Sequence, residues 1–341
     1  MTTLHEAMFY RKEKGKVICE LCPHRCVIKD GKKGICGARK NIGGKLISLS
    51  YGRVVAEHAD PIEKKPFFNF APGSYAYSIA SIGCNMRCKH CQNWEISQKR
   101  EGYESLKYKS PEDIVKSAKN AKCNGLSYTY TEPTVFYEMA YDTAVISNKE
   151  QMYNTLVTNG YINEEALKKI LPYIDAVNMD MKASNQKFYR EICGAENYEI
   201  LWKNIKKIFK NTHIELTTLI IPTLNDKKTE IEQIAERIIE ISKEIPWHIT
   251  AFYPHYRLLH LPPTDREALI TLRETALNMG LNYVYTGNIF FEEGETTFCP
   301  ECGNAVIKRA GFEIVKFEVE NGRCKFCGKH LNIRGLEWSP Y

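Results

Sequence analysis

Three cysteines lie close together in one short stretch of the chain, at Cys84, Cys88 and Cys91. Their spacing is C-x3-C-x2-C, and they directly follow an apolar run that we predict to be a strand. Three thiolates are the informative number, because a four-iron, four-sulfur cluster with three cysteine ligands keeps one iron open to a further ligand. Open positions permit chemistry, whereas closed sets stabilise a fold. A zinc site that borrows a fourth ligand, such as His90, is the alternative.

Four more cysteines form two C-x2-C pairs near the C-terminus, each pair followed by glycine. The set is Cys299, Cys302, Cys324 and Cys327. Closed tetrahedral coordination by four thiolates suits structural zinc, although rubredoxin-like iron adopts the same geometry. We predict a zinc-ribbon-like module in which the metal folds a short tail that has little core of its own.

A third set lies near the N-terminus and comprises Cys19, Cys22, Cys26 and Cys36. Four thiols can hold either structural zinc or an auxiliary iron–sulfur cluster. Zinc is slightly favoured, because the glycines and lysines between the third and fourth cysteine suggest a small knuckled loop. The two remaining cysteines, Cys123 and Cys193, stand alone and are assigned no role, since single cysteines usually behave as small buried apolar residues.

Composition limits the class of protein further. The thirteen cysteines among 341 residues are odd in number and mostly clustered, which favours metal ligation in a reducing compartment over a disulfide framework. No secretory signal and no transmembrane stretch is evident, so we expect a cytoplasmic protein. The net charge of +6 permits nucleic-acid binding but does not indicate it.

Between residues 73 and 297, short apolar or β-branched runs alternate with longer amphipathic segments, a pattern that favours parallel βα units. We predict strands at residues 77–82, 125–131, 153–158, 176–180, 214–221, 248–253 and 283–285. We predict helices after Ser110 and at residues 163–171, 198–210, 227–243 and 265–279. These repeats suggest a partial (β/α) barrel with its chemistry at the C-terminal strand ends.

The cysteine loop resembles that of the radical S-adenosylmethionine (SAM) superfamily, and the sequence Cys-Gln-Asn at residues 91–93 resembles the pyruvate formate-lyase activating enzyme branch. Residues 22–26, 60–66, 72–74, 91–98 and 287–288 together resemble the radical SAM component associated with the AMMECR1 and Memo protein families, called AmmeMemoRadiSam. The resemblance implies an α/β fold with a partial (β/α)6-type radical SAM barrel at residues 73–297. A cysteine-rich metal-binding extension would occupy residues 1–72, and the zinc-ribbon-like module residues 298–341.

The resemblance also implies where SAM binds. Residues 128–133 stand where the wider superfamily often has a Gly-Gly-Glu stretch that meets the SAM amino group, and here the glycines are replaced. Thr129, Thr131 and Glu132 could still supply oxygen acceptors for an ammonium, although Glu132 could instead cap the following helix. An Asp-x-Lys sequence matches one in the activating enzymes, so its lysine would meet the SAM carboxylate, with a structural ion pair as the alternative. The remaining expected contacts come from strand ends and from the cysteine loop. The full set of expected cofactor contacts, besides the three cysteines, is His90, Thr129, Thr131, Glu132, Asn159, Asp180, Lys182, Thr217 and His255.

The implied function is reductive cleavage of SAM to a 5'-deoxyadenosyl radical that abstracts hydrogen from a substrate. A flavodoxin- or ferredoxin-type protein would donate the electron, and AMMECR1-like and Memo-like proteins are candidate partners. One variant is activation of a glycyl radical enzyme. An alternative of another class is a non-enzymatic adaptor that binds zinc and nucleic acid. The C-terminal tail supports it only weakly, because basic and aromatic residues do not alternate there as they do in a surface that binds single strands.

Overall fold

The structure is a computed structural model that describes residues 4–341. The chain opens with six short strands: β1 (His5–Glu6), β2 (Tyr10–Glu13), β3 (Lys16–Cys19), β4 (Val27–Lys29), β5 (Arg39–Ile42) and β6 (Lys45–Ser48). They form two small antiparallel sheets with the orders β1-β6-β5 and β2-β3-β4. Val17, Ile28 and Leu46 are buried in these sheets and join the main core.

An eight-stranded sheet forms the centre of the molecule. Its strands are β7 (Ala56–Pro61), β8 (Tyr75–Ala80), β9 (Gly125–Tyr128), β10 (Tyr153–Thr158), β11 (Ala176–Asp180), β12 (His213–Ile220), β13 (Trp247–Ala251) and β14 (Val284–Gly287). They follow one another in sequence order across the sheet. Strands β8 to β14 are parallel, and β7 pairs antiparallel with β8 at one edge. All seven parallel strands therefore end at the same side of the sheet.

Helices connect the parallel strands. They are α1 (Trp94–Ser97), α2 (Pro111–Asn120), α3 (Tyr137–Lys149), α4 (Glu164–Ile170), α5 (Gln186–Phe188), α6 (Glu199–Asn211), α7 (Lys228–Ile239), α8 (Arg266–Asn278) and α9 (Glu292–Glu295). The longer ones bury one apolar face in the core and expose charged residues on the other. Ser110 caps α2 in a capping box with Asp113. No helix within residues 4–341 is long and apolar enough to cross a bilayer.

The C-terminal tail contributes five short strands: β15 (Thr297–Phe298), β16 (Ala305–Ala310), β17 (Glu313–Phe317), β18 (Val319–Glu320) and β19 (Arg323–Cys324). Its small core comprises two of the cysteines and a few aliphatic residues. The tail packs on the barrel, because Arg309 Nη2 donates to the Phe68 carbonyl at 2.7 Å and Asn69 Nδ2 donates to the Asn332 carbonyl at 2.9 Å.

The predicted α/β fold with a parallel barrel-like sheet and two cysteine-rich ends is confirmed. Among the strands of the central sheet and the longer helices around it, two elements were missed. Strand β7 carries the polar sequence AEHADP, as an edge strand can, and so lacks an apolar run. Helix α3 buries Glu138, Thr143 and Ser147, so its apolar periodicity is weak. The predicted division at residues 72/73 and 297/298 stays a prediction.

Candidate active site

The three-cysteine loop directly follows β8, at the side of the sheet where the parallel strands end. Gly83 opens it with φ of 101°, and a Cβ atom there would lie 2.9 Å from the Cys36 carbonyl oxygen. Only glycine fits this position without strain. Three groups contact the cysteine sulfurs: Met86 N donates to Cys84 Sγ at 3.3 Å, Asn159 Nδ2 reaches the same sulfur at 3.6 Å, and Ser97 Oγ lies 3.0 Å from Cys91 Sγ. Hydrogen bonds to sulfur tune iron–sulfur clusters.

A cavity of about 830 Å³ opens beside this loop. Its volume is in the range of sites that enclose a small-molecule ligand. The three cysteines line it together with residues from the ends of β9 to β14, as expected for a barrel of this kind. The expected cofactor contacts that line the cavity are His90, Thr129, Thr131, Glu132, Asn159, Asp180, Lys182 and Thr217.

His255 is not among the residues that line the cavity. Strand β13 ends at Ala251, and His255 lies beyond it in a turn where its carbonyl accepts from Leu258 N at 3.0 Å. His248 and Thr250, on β13 itself, and Tyr253, just after it, line the cavity. The contact expected from His255 stays a prediction.

Glu132 is buried, and its carboxylate accepts four hydrogen bonds from the protein. The donors are Thr134 N at 3.0 Å, Thr134 Oγ1 at 2.6 Å, Thr158 Oγ1 at 2.8 Å and Asn159 N at 2.8 Å. Burial raises the pKa of Glu132, and these hydrogen bonds oppose that rise. The side chain thus caps the turn at Pro133, which was the alternative interpretation, and it fixes Asn159 against Cys84.

Asp180 and Lys182 form the expected pair, with Lys182 Nζ 2.8 Å from Asp180 Oδ2. Burial alone would lower the pKa of Lys182, but the charges of Asp180 and of the neighbouring Cys88 and Cys193 thiols raise it well above its ordinary value. The ammonium is therefore kept charged at the cavity wall. Thr217 Oγ1 donates to Asn178 Oδ1 at 2.9 Å, so its hydroxyl proton is already used.

Cys193 is a neighbour of the site that sequence reasoning missed. It is fully buried at the end of a π-helical turn (Tyr189–Cys193), and its sulfur, Cys88 Sγ and a His90 ring nitrogen all lie within 4.8 Å of one another. Its carbonyl accepts from Arg87 N at 2.7 Å. A lone cysteine far from the loop in sequence gave no sign of this proximity.

A second group that sequence reasoning missed is a buried lysine that lines the cavity. Lys65 is 2% exposed, its Nζ is 2.7 Å from Asp60 Oδ2, and it stands 4.2 Å above the Tyr130 ring centroid. Lys64 also pairs with Asp60, at 2.8 Å. The lysines and Tyr130 line the cavity. Residues 60–66, which include Asp60 and both lysines, had been used only as evidence of family resemblance and not as part of the site.

The two flanking cysteine sets differ in geometry. In the C-terminal set, Cys299 Sγ lies 3.6 Å from Cys327 Sγ and Cys302 Sγ lies 3.8 Å from Cys324 Sγ. All four sulfurs lie within 4.8 Å of one another, which suits a single tetrahedral ion. The N-terminal four line a separate small pocket behind the three-cysteine loop.

The donor set at the cavity suits an iron–sulfur cluster and SAM. Three thiols stand at its edge with N–H and O–H groups close to their sulfurs, and a buried ammonium and amide and hydroxyl groups line its wall. Such a partial barrel with an open-ligand cysteine loop defines a class of enzyme that performs chemistry at the C-terminal strand ends.

The family model for the radical SAM superfamily matches residues 78–238. An uncharacterized protein of Methanocaldococcus jannaschii is 44% identical over 336 residues, which cover 97% of this chain and 99% of that protein. The pyruvate formate-lyase 1-activating enzyme of Escherichia coli is 22% identical over 206 residues, or 55% of this chain and 82% of that one. Streptococcus suis SuiB bound to S-adenosylmethionine shares the fold with a TM-score of 0.50 and 14% identity, over 66% of this chain and 52% of that one.

The chain belongs to the radical SAM superfamily. It is therefore a radical SAM enzyme, and the family implies a [4Fe–4S] cluster and SAM as its cofactors.

Proposed function

We propose that Cys84, Cys88 and Cys91 hold the cluster and that the enzyme abstracts a hydrogen atom from a substrate bound in the cavity. The main support for this proposal is that all three cysteines line one cavity together with Lys182 and Asn159. A four-iron cluster with three thiolate ligands supplies an open iron for SAM and the electron that splits SAM into methionine and a 5'-deoxyadenosyl radical.

The chain's own residues would bind and orient SAM. The Lys182 ammonium is held by Asp180 and offers its remaining N–H groups to a carboxylate. Thr129 and Thr131 supply hydroxyl and carbonyl oxygens for an ammonium group near the end of β9. Thr131 Oγ1 already donates to the Ser81 carbonyl at 2.8 Å, which leaves its lone pairs free to accept.

Glu132 acts through Asn159 and Thr158 rather than on SAM. It holds Asn159 so that the amide reaches both Cys84 Sγ and Asn85 Oδ1, the latter at 2.9 Å. We therefore class Glu132 as a positioning residue. His90 would border the cluster, and the cavity walls would keep water from the radical.

The test is anaerobic reconstitution of the wild type beside a Cys84→Ala/Cys88→Ala/Cys91→Ala variant. Iron, sulfide and zinc are measured, and dithionite-driven formation of 5'-deoxyadenosine is followed. Cys123→Ala serves as the matched control, because this buried thiol belongs to none of the three sets. We expect the triple variant to lose about four irons and all SAM cleavage. A wild type that holds only zinc and leaves SAM intact would support the nucleic-acid adaptor instead.

Lys182→Met tests the SAM contact separately. We expect a cluster with unchanged iron content and SAM affinity at least ten-fold weaker, since a charge-assisted hydrogen bond to the carboxylate would be lost. Equal SAM affinity in wild type and Lys182→Met would assign the Asp180–Lys182 pair a structural role only.

The finer assignment is to the AmmeMemoRadiSam group, supported by residues 22–26, 60–66 and 287–288. AMMECR1-like and Memo-like proteins are then the partners to test. If the assignment is right, the rate of SAM cleavage should rise at least ten-fold when either purified protein is added. No change with either protein would count against this assignment.

Activation of a glycyl radical enzyme is the second candidate, because the pyruvate formate-lyase 1-activating enzyme is a relative over about half of this chain. It predicts a glycine-centred radical signal in electron paramagnetic resonance (EPR) when the protein, SAM and a glycyl radical enzyme are mixed. For the C-terminal set we propose structural zinc, which metal analysis tests. The cytoplasmic location stays a prediction.

A further inference from the structure

We infer that Cys19, Cys22, Cys26 and Cys36 hold a second iron–sulfur cluster, which passes electrons to the cluster at the cavity. This inference rests on the proposed function of the three-cysteine loop. It reverses the preference for zinc that the sequence suggested, and four features of the structure support it.

The first feature is the space between the four thiols. They line a pocket whose wall also includes Leu21, Ile28 and Val135. Around a single zinc ion, Zn–S bonds of about 2.3 Å bring ligand sulfurs to about 3.8 Å of one another. The C-terminal sulfurs show that spacing, at 3.6 and 3.8 Å.

The N-terminal sulfurs are spaced more widely than those of the C-terminal set. Within residues 4–341, the groups of three or more ligand atoms that lie within 4.8 Å of one another include the C-terminal set. They include neither the N-terminal set nor the set of Cys84, Cys88 and Cys91. A cubane places an iron and sulfide cage between its ligands, so its thiolates must stand farther apart than those of one ion. The N-terminal set therefore shares the wide spacing of the proposed cluster loop.

The second feature is the buried guanidinium of Arg39, which is 1% exposed and also lines the pocket. Its Nη1 lies 3.8 Å from Cys19 Sγ and donates to the Met8 carbonyl at 2.6 Å, and its Nη2 pairs with Glu138. Its Nε is buried and has no hydrogen-bond partner in the part of the chain described. A buried donor left over beside four thiols indicates a missing anionic group.

The third feature is the contact between the two cysteine regions. Arg100 Nη1 donates to the Cys36 carbonyl at 2.9 Å and to the Cys84 carbonyl at 2.7 Å. A His24 ring nitrogen lies 2.7 Å from the Asn85 carbonyl oxygen. Both contacts connect the loops that carry the two sets, so a cluster at one would stand directly behind a cluster at the other.

The fourth feature separates electron transfer from substrate binding. None of the four N-terminal cysteines is among the residues that line the large cavity, and four thiolates would leave no iron open. The segment that carries the four cysteines also exposes Arg25, Lys29, Lys32 and Lys33, which suits an acidic one-electron carrier of the flavodoxin or ferredoxin type.

Each transfer along this path moves one electron. The reduced carrier gives one electron to the N-terminal cluster, and that cluster passes it to the cavity cluster. There the electron breaks the bond between the SAM sulfur and C5', yielding methionine and the 5'-deoxyadenosyl radical with no proton transferred.

The test uses two full-length variants, Cys84→Ala/Cys88→Ala/Cys91→Ala and Cys22→Ser/Cys36→Ser, with Cys123→Ala as control. Iron, sulfide and zinc are measured, and Mössbauer and EPR spectra are recorded with and without SAM. The triple variant should retain about four irons per chain as a cluster whose spectrum SAM does not alter. Its N-terminal set is intact, so a folding defect of the double variant cannot mask this result.

In Cys22→Ser/Cys36→Ser, the ratio of carrier-driven to dithionite-driven SAM cleavage should fall at least ten-fold, because dithionite can reduce the cavity cluster directly. A triple variant with zinc and no iron at the N-terminal set would overturn the inference, as would an unchanged ratio in the double variant. Wild type that fails to cleave SAM, beside a triple variant that retains iron, would instead refute the proposed function alone.

Discussion

Replacing Glu215 by glutamine should destabilise the protein in a way that depends on pH. Glu215 is fully buried on β12 and accepts hydrogen bonds from Phe68 N at 3.0 Å and Asn69 N at 2.7 Å. Ring nitrogens of His213 and His248 lie 3.0 and 2.6 Å from its oxygens. This carboxylate therefore ties the segment containing Phe68, part of the cavity wall, to the barrel.

Burial alone would raise the pKa of Glu215, but the hydrogen bonds with His213 and His248 lower it from 4.5 to about 2. This difference corresponds to about 3 kcal/mol of stabilisation at pH 7. Because the folded-state pKa is depressed, the stabilisation is complete above the unfolded-state value and is lost as pH falls toward the folded-state value. The linkage relation leaves about 1.4 kcal/mol at pH 3.

Urea unfolding of metal-free wild type and Glu215→Gln, followed by tryptophan fluorescence at pH 7 and pH 3, measures the difference. Glu165→Gln, at an exposed position on α4, is the control and should change stability by less than about 0.5 kcal/mol. The gap between wild type and Glu215→Gln should shrink by about 2 kcal/mol on acidification. An equal gap at both pH values would refute the view that an ionised carboxylate carries these contacts.

Three further perturbations follow from the packing. Gly160→Ala should destabilise the protein by about 1–3 kcal/mol in thermal unfolding, because φ is 69° and the new Cβ would lie 2.2 Å from a methionine methyl. The control is Gly280→Ala, where φ is also positive but the space is open, so it measures the cost of the backbone conformation without a steric clash. Lys65→Met should destabilise by about 3–5 kcal/mol by leaving Asp60 without its buried partner, and adding Asp60→Asn should recover part of the loss in the same assay. Cys324→Ser should release one metal ion per chain and make residues 298–341 sensitive to protease, whereas unchanged metal content would contradict a four-thiol site.

Local pattern was enough to predict most of the barrel. The strand at residues 153–158 was predicted with its observed bounds, because a buried parallel strand is a continuous apolar or β-branched run. The Ser110 cap was equally readable, since its partners are three residues away. The three-cysteine loop could be found because its ligands are neighbours in sequence, and so could the strand ends that border it.

Long-range contacts could not be predicted in the same way. Cys193 reaches Cys88 only because a π-helical turn folds back under the loop, and Lys65 reaches Tyr130 only because β7 runs antiparallel to β8. Spacing in sequence indicates which residues are close within one loop or helix, whereas the sheet topology determines which distant segments come into contact.

The N-terminal region is bound to the barrel by charges as well as by strand pairing. Arg39, on β5, and Glu138, on α3, form an ion pair in which both side chains are at most 1% exposed. Removing residues 1–72 would leave Glu138 as a buried charge without its partner, a loss of about 3–5 kcal/mol, and would also strip β7 from the sheet edge. Glu138 also accepts from Met8 N at 2.8 Å, so the same carboxylate holds both β5 and the segment between β1 and β2. The N-terminal cysteines are thus held in a fixed position relative to the cavity, as an electron path between two clusters requires.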